Sequence, residues 1–278
     1  SNSPATAIDW GGQRITNLGD PVGSQDAVSK SYMESHCFYP DLVNLVIKNN
    51  STNPDYQIDI SCDQLFVEGV RLTNISLTVD ITQSGANGLD TDSEEADTWY
   101  YIWVIYNPTT ETTAGLLSKS STSPTLPTGY TKKRLLGAVR NNDSSNFLRF
   151  HQRGRQVVYT GTDYGYSVLS DGSATDWTQV TVSGYVPPDV CAAIRFWMRA
   201  YRSNSFYADG YLSGNNSYAQ VYIRVDNYHL NESSGSSRSG QCWVGDLFLE
   251  DPSGPVVYYK CGYGHVWLRV IGFTLREM

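Results

Sequence analysis

The stretch Ile75–Ile81, I-S-L-T-V-D-I, places Ile75, Leu77, Val79 and Ile81 at every second position, with Ser76, Thr78 and Asp80 between them. Successive side chains of a strand point to opposite faces, so this spacing describes a β-strand with one apolar and one wet face. Working outward, L-V-N-L-V-I-K at 42–48 precedes it. W-Y-Y-I-W-V-I-Y at 99–106 follows, long enough for a strand buried on both faces and too short to cross a bilayer. A turn at Asn107–Pro108 leads to A-G-L-L-S at 114–118, the loop S-T-S-P-T-L-P-T-G-Y at 121–130 and K-R-L-L-G-A-V-R at 133–140. Beyond a transition at Arg153-Gly154-Arg155-Gln156 come W-T-Q-V-T-V-S-G-Y-V-P-P at 177–188, C-A-A-I-R-F-W-M-R-A-Y at 191–201, Q-V-Y-I-R-V-D at 220–226, W-V-G-D-L-F-L-E at 243–250, V-V-Y-Y-K at 256–260 and V-W-L-R-V-I-G-F-T-L at 266–275. Six strands without an intervening helical period predict a β-sandwich, the first of them ending at Pro187 and Pro188, which cannot donate to a ladder.

The composition agrees. With 20 Tyr, 24 Gly and only 17% charged residues, strand formers outweigh helix formers. The net charge of −8, from 20 basic and 28 acidic side chains, argues against nucleic acid, whose phosphates call for a basic face. No apolar run approaches a membrane span. The chain starts S-N-S-P, without Met or a secretion signal, which points to a piece of something longer. Five cysteines (37, 62, 191, 242, 261) are odd in number and form no C-x-x-C pair, so they read as reduced thiols, with Cys191 and Cys242 as small core residues.

Near the start, I-D-W-G-G-Q-R-I-T-N-L-G-D-P-V-G-S-Q-D-A-V-S-K-S-Y-M spans 8–33. Pro21 stops an extended arm, Ser24 can cap a helix beginning near Gln25, and Asp26 lies in its first turn, where the macrodipole favours negative charge. That helix would end near Ser35. At about eleven residues with a stripe of only Ala27, Val28 and Tyr32, it is marginal by itself and needs a partner.

The pattern formed by Gly12, Ile15, Asn17, Leu18, Asp20, Pro21, Asp26, Ala27, Lys30 and Tyr32 resembles the repeat found near shaft and head junctions of bacteriophage tail fibres. The block from Trp103 to Arg140 is similar to a module of many phage tail proteins, and 177–188 with the strand after it looks like the opening of β-sandwich heads in phage fibres. The resemblance implies a mainly β protein forming a parallel homotrimer, in three parts: a connector with a short trimerising helix at 1–36, a middle β domain at 37–156 and a C-terminal β-sandwich receptor-binding head at 157–278. It implies an axis through Ile15, Leu18, Val28 and Tyr32; a helix docked on its own domain is the alternative. It further implies a viral attachment protein of the virion tail, assembled in the host cytoplasm, contacting other tail or baseplate proteins and adsorbing to a bacterial surface polysaccharide or lipopolysaccharide.

No nucleophile elbow, H-E-x-x-H or phosphate loop appears, and His36, His151, His229 and His265 are scattered. The reading is therefore non-catalytic adhesion without a cofactor. The alternatives are a polysaccharide depolymerase or deacetylase, and a structural adaptor or collar. Asp90, Asp92, Glu94, Glu95 and Asp97 bring together oxygen donors of the type Ca²⁺ takes, without EF-hand spacing; the assignment is a solvated acidic turn, with no metal. Sugar rings stack on Tyr and Trp while Asn and Asp bond their hydroxyls. On that ground Tyr207, Asp209, Tyr211, Asn215, Asn216 and Tyr218, in S-N-S-F-Y-A-D-G-Y-L-S-G-N-N-S-Y at 203–218, are the expected ligand contacts, against the alternative that Phe206, Tyr211 and Leu212 only pack a strand. Tyr228, His229 and Arg238 of the polar loop 227–240 are candidates to join them. Trp99, Trp103, Trp197, Trp243 and Trp267, in apolar strands, are expected for the most part in the core.

Overall fold

The computed structural model describes residues 19–20, 22, 28–29, 40–91, 93–162, 165–201, 207–215, 217, 221–226, 239–249 and 253–277. Asp41–Met278 forms one compact unit. Its strands, in chain order, are β1 (Leu42–Val43), β2 (Val46–Asn49), β3 (Gln57–Val67), β4 (Val70–Asp80), β5 (Gly88–Leu89), β6 (Thr98–Asn107), β7 (Thr112–Ser118), β8 (Lys132–Asn141), β9 (Phe150–Arg153), β10 (Gln156–Tyr159), β11 (Tyr166–Gly172), β12 (Thr178–Thr181), β13 (Cys191–Tyr201), β14 (Tyr207–Ser213), β15 (Val221–Asp226), β16 (Ser239–Phe248), β17 (Val256–Tyr263) and β18 (His265–Leu275). The protein is mainly β, as the alternation predicts.

One long sheet runs β1-β3-β2-β9-β10-β18-β13-β16, with β4 on the free side of β3 and β11 sharing β18 with β10. Two four-stranded sheets, β5-β7-β6-β8 and β12-β17-β14-β15, accompany it. β3 and β4 are joined by Glu68 and Gly69 alone, both at positive φ (43° and 84°), the two-residue turn whose twist suits a hairpin. On β4, Ile75 and Val79 are buried and Leu77 packs against the core, with Ile81 buried just past the strand. The stretch 42–48 is not one strand. Asn44, at φ 54°, breaks it between β1 and β2.

The boundary expected at 156/157 falls inside β10, and Gly154–Arg155 is a two-residue hairpin turn joining β9 and β10. β10 then pairs with β18, so one sheet crosses the expected division. Gly and flanking charges read locally as a linker; a hairpin turn has the same composition. Gln152, fully buried on β9, donates to Leu136 O on β8 at 2.6 Å and to Gly154 O at 2.8 Å. Gly137 makes room for it, since a Cβ there would lie 2.4 Å from Gln152 Oε1.

β6 is buried on both faces. The covering on one of them includes the segment after β12. That strand ends at Thr181, before the prolines, because Tyr185 N turns back to Val182 O. Val182, Val186 and Val190 are buried, Trp99 Nε1 donates to Ser183 O at 2.7 Å, and Tyr101 Oη donates to Pro188 O at 3.1 Å. Trp99 also meets Phe273 of β18 edge-on, centroids 6.0 Å apart.

Among the connector residues, Gly19, Asp20, Val22, Val28 and Ser29 are described, and none belongs to a helix or strand. Val28, expected on the trimer axis, is 45% exposed in the single chain. Ile15, Leu18 and Tyr32 lie outside the described residues.

Candidate functional site

The segment expected to bind ligand is mostly a strand. β14 sits between β15 and β17, with Ala208, Gly210 and Leu212 turned inward; a Cβ on Gly210 would lie 2.7 Å from Met198 and 2.8 Å from Val266 of the long sheet. Asp209, Tyr211 and Ser213 alternate with these. Tyr211 is half-buried and stands opposite Lys260 of β17. The Lys260 ammonium lies 4.8 Å from the Tyr211 ring centroid and 5.0 Å from that of Trp177, just before β12. Two adjacent strands and the residue leading into a third thus contribute a row, Trp177–Lys260–Tyr211. Each cation–π contact is worth about 0.5–1 kcal/mol at an exposed position, enough to hold the lysine between the rings.

Asp209 lies one step along the same face, yet it is only 7% exposed. A register irregularity between Asp209 and Tyr211 brings Gly262 and Tyr263 over it. Tyr263 N donates to Asp209 Oδ1 at 2.6 Å and Tyr211 Oη to Oδ2 at 3.4 Å, while a Cβ on Gly262 would lie 2.7 Å from the carboxylate. Asp209 therefore braces the Tyr211 hydroxyl and the β17 backbone and is itself out of reach of a bulky ligand. Asn215 organises the turn after β14: Ser213 Oγ donates to its Oδ1 at 3.3 Å, as does Ser217 N at 2.9 Å. Strand β14 places Tyr207, but its side chain, with Asn216, Tyr218, Tyr228, His229 and Arg238, lies outside the described residues. A cleft of about 330 Å³ borders the site, lined by Ser173, Thr175, Cys261, Gly262, Tyr263, Gly264 and His265.

Sequence reasoning missed Trp177 and Lys260. In the sequence Trp177 and Lys260 stand at the outer ends of the segments 177–188 and 256–260, but their approach depends on the β12–β17 register, and no local pattern gives that. The acidic turn is spoken for by protein partners. Asp90 accepts from Thr91 N and Thr125 N, Glu94 from Asn141 Nδ2, Glu95 pairs with Lys119 at 2.7 Å and Asp97 with Arg140. Asp92 is outside the described residues, among which no group of three or more His, Cys, Asp or Glu comes together.

The expectation for tryptophan needs correction. Trp99 and Trp103 are buried, but Trp197 and Trp267 are half-buried on the outer side of β13 and β18, where Arg195, Arg199 and Arg269 stand beside them. Phe196, Met198 and Ala200 take the inner side of β13 instead. The side chain of Trp243 is outside the described residues. No protein-family model matches the sequence, and a search of curated proteins finds no match.

Proposed function

We propose that this chain is part of a bacteriophage tail fibre, a parallel homotrimer that adsorbs the virion to its bacterial host by binding a surface glycan without cleaving it. The Trp177–Lys260–Tyr211 row carries the reading. Two aromatic walls with an ammonium between them give a sugar both an apolar surface and hydrogen-bond donors, while the nearest carboxylate, Asp209, is committed to structural bonds. The similarity of 8–33 to tail-fibre connectors supports the setting. A shallow row binds weakly, and three copies on one axis raise avidity through effective concentration.

Fluorescently labelled protein incubated with a panel of bacterial strains tests this. Selective staining should fall about tenfold or more in apparent affinity in Trp177→Ala/Tyr211→Ala, since losing two stacking surfaces at roughly 0.5–1.5 kcal/mol each, multiplied over three copies, exceeds the 1.4 kcal/mol of a tenfold change. Staining that survives the double substitution removes this site. Shortened or deacetylated polysaccharide after incubation would favour the enzyme reading, and absence of staining on every strain the adaptor.

A further inference from the structure

The outer face of β13 and β18 carries four side chains in a square. Trp197 stands opposite Arg269 and Arg199 opposite Trp267, so cations and indoles alternate along each strand and across the pair. The two arginines occupy one diagonal and the two indoles the other. Arg269 Cζ lies 5.9 Å from the Trp197 ring centroid, and Arg199 Cζ lies 5.6 Å from Trp267 and 5.4 Å from Tyr201. Next to the square, β16 continues the face with Val244, opposite Trp197, and with Asp246 and Phe248; Val244 is 55% and Phe248 70% exposed.

The charges do not balance. Asp246 is taken by Arg195, with a fork of 2.9 and 3.1 Å, and Asp171 lies 3.1 Å from His265 Nδ1. Arg199 and Arg269 form no ion pair among the described residues; Arg269 Nη1 reaches only Gly165 O, at 3.4 Å, and Arg199 Nε is buried with no acceptor there. Side chains on a sheet diagonal have Cα atoms about 7–8 Å apart, so these two guanidinium groups repel each other and are partly stripped of water by the rings between them. A chain of net charge −8 thus keeps a local cationic face. A planar guanidinium fork matches a carboxylate or phosphate, and the indoles beside it suit the apolar face of a sugar.

We infer that this square is a second saccharide site, separate from the Trp177–Lys260–Tyr211 row, that takes an anionic sugar: a carboxylate or phosphate ester seated between Arg199 and Arg269, with the ring on the indoles. It shares no residue with the row and does not depend on it.

Isothermal titration of the full chain with oligogalacturonate, its methyl ester and a phosphomannan oligosaccharide tests the assignment. At least one of the two anionic sugars should bind at least tenfold more tightly than the ester, and more weakly as salt rises. Their ranking tells carboxylate from phosphate. Arg199→Gln/Arg269→Gln should lose that binding tenfold or more, and Arg199→Lys/Arg269→Lys, which keeps charge but not the fork, should fall between; Trp177→Ala/Tyr211→Ala should stay within twofold of wild type. Binding of neither anion more tightly than the ester overturns the proposal, as does a Gln double variant that binds normally. So does a change in sedimenting mass of the Gln double variant, which would make the face a contact between copies of the chain.

Discussion

Phe273→Ala separates one folding unit from two. Phe273 is 1% exposed on β18, which pairs with β10 and β13, and its ring meets Trp99 at 6.0 Å and Tyr159 at 6.1 Å, both edge-on. Truncation removes a fully buried ring and leaves a cavity between β18 and β6, which costs roughly 3–5 kcal/mol. For a unit of this size each kcal/mol lowers Tm by about 2–4 °C, so the expected drop is about 6–20 °C. Because one sheet crosses residues 156/157, that loss should move the whole of Asp41–Met278, and calorimetry and far-UV circular dichroism should report a single shifted transition. Two transitions in the variant, the upper one at the wild-type temperature, would refute the reasoning. They would mean that the strands before β10 fold without those after it.

Other outcomes follow from close packing and buried ionisable groups. A Cβ on Gly115 would lie 2.2 Å from Val79 Cγ2, with Ile60 behind, so Gly115→Ala should destabilise by about 1–3 kcal/mol in urea melts; adding Val79→Ala should cost less than the sum of the two single changes. Burial pushes the Tyr101 hydroxyl up to about 12, aided by the Asp189 charge, and burial does the same to the Cys191 thiol. Both folded values exceed the unfolded ones, so this contribution to stability is present below pH 9–10 and is lost as pH rises towards 12; unchanged urea midpoints between pH 8.5 and 11 would contradict it. In the same vein, Cys62, Cys191 and Cys261 are buried thiols, and alkylation at pH 8 followed by peptide mapping should label them only after unfolding.

Much of the β architecture was legible because period two is local. Strands at 75–81, 99–106, 191–201 and 266–275 appear close to where alternation puts them. On β13 even the facing was present, since Trp197 lies two residues from both Arg195 and Arg199, and Trp267 lies two from His265 and Arg269. Assigning tryptophan by residue type instead of by face sent it to the core. The candidate site was partly legible: Tyr211 faces out, whereas Asp209, on the same face, is covered by Tyr263.

The amino-acid order by itself determined the strand-rich class and which residues share a side of each strand, both fixed by side-chain alternation within a few positions. Only the tertiary structure decided that β10 joins β18, that Lys260 sits between Trp177 and Tyr211, and that Arg199 and Arg269 fall on one diagonal. These are pairings between strands far apart along the chain. Loop closure costs rise so slowly with length that the choice of partner rests on packing of whole faces, which no local window contains.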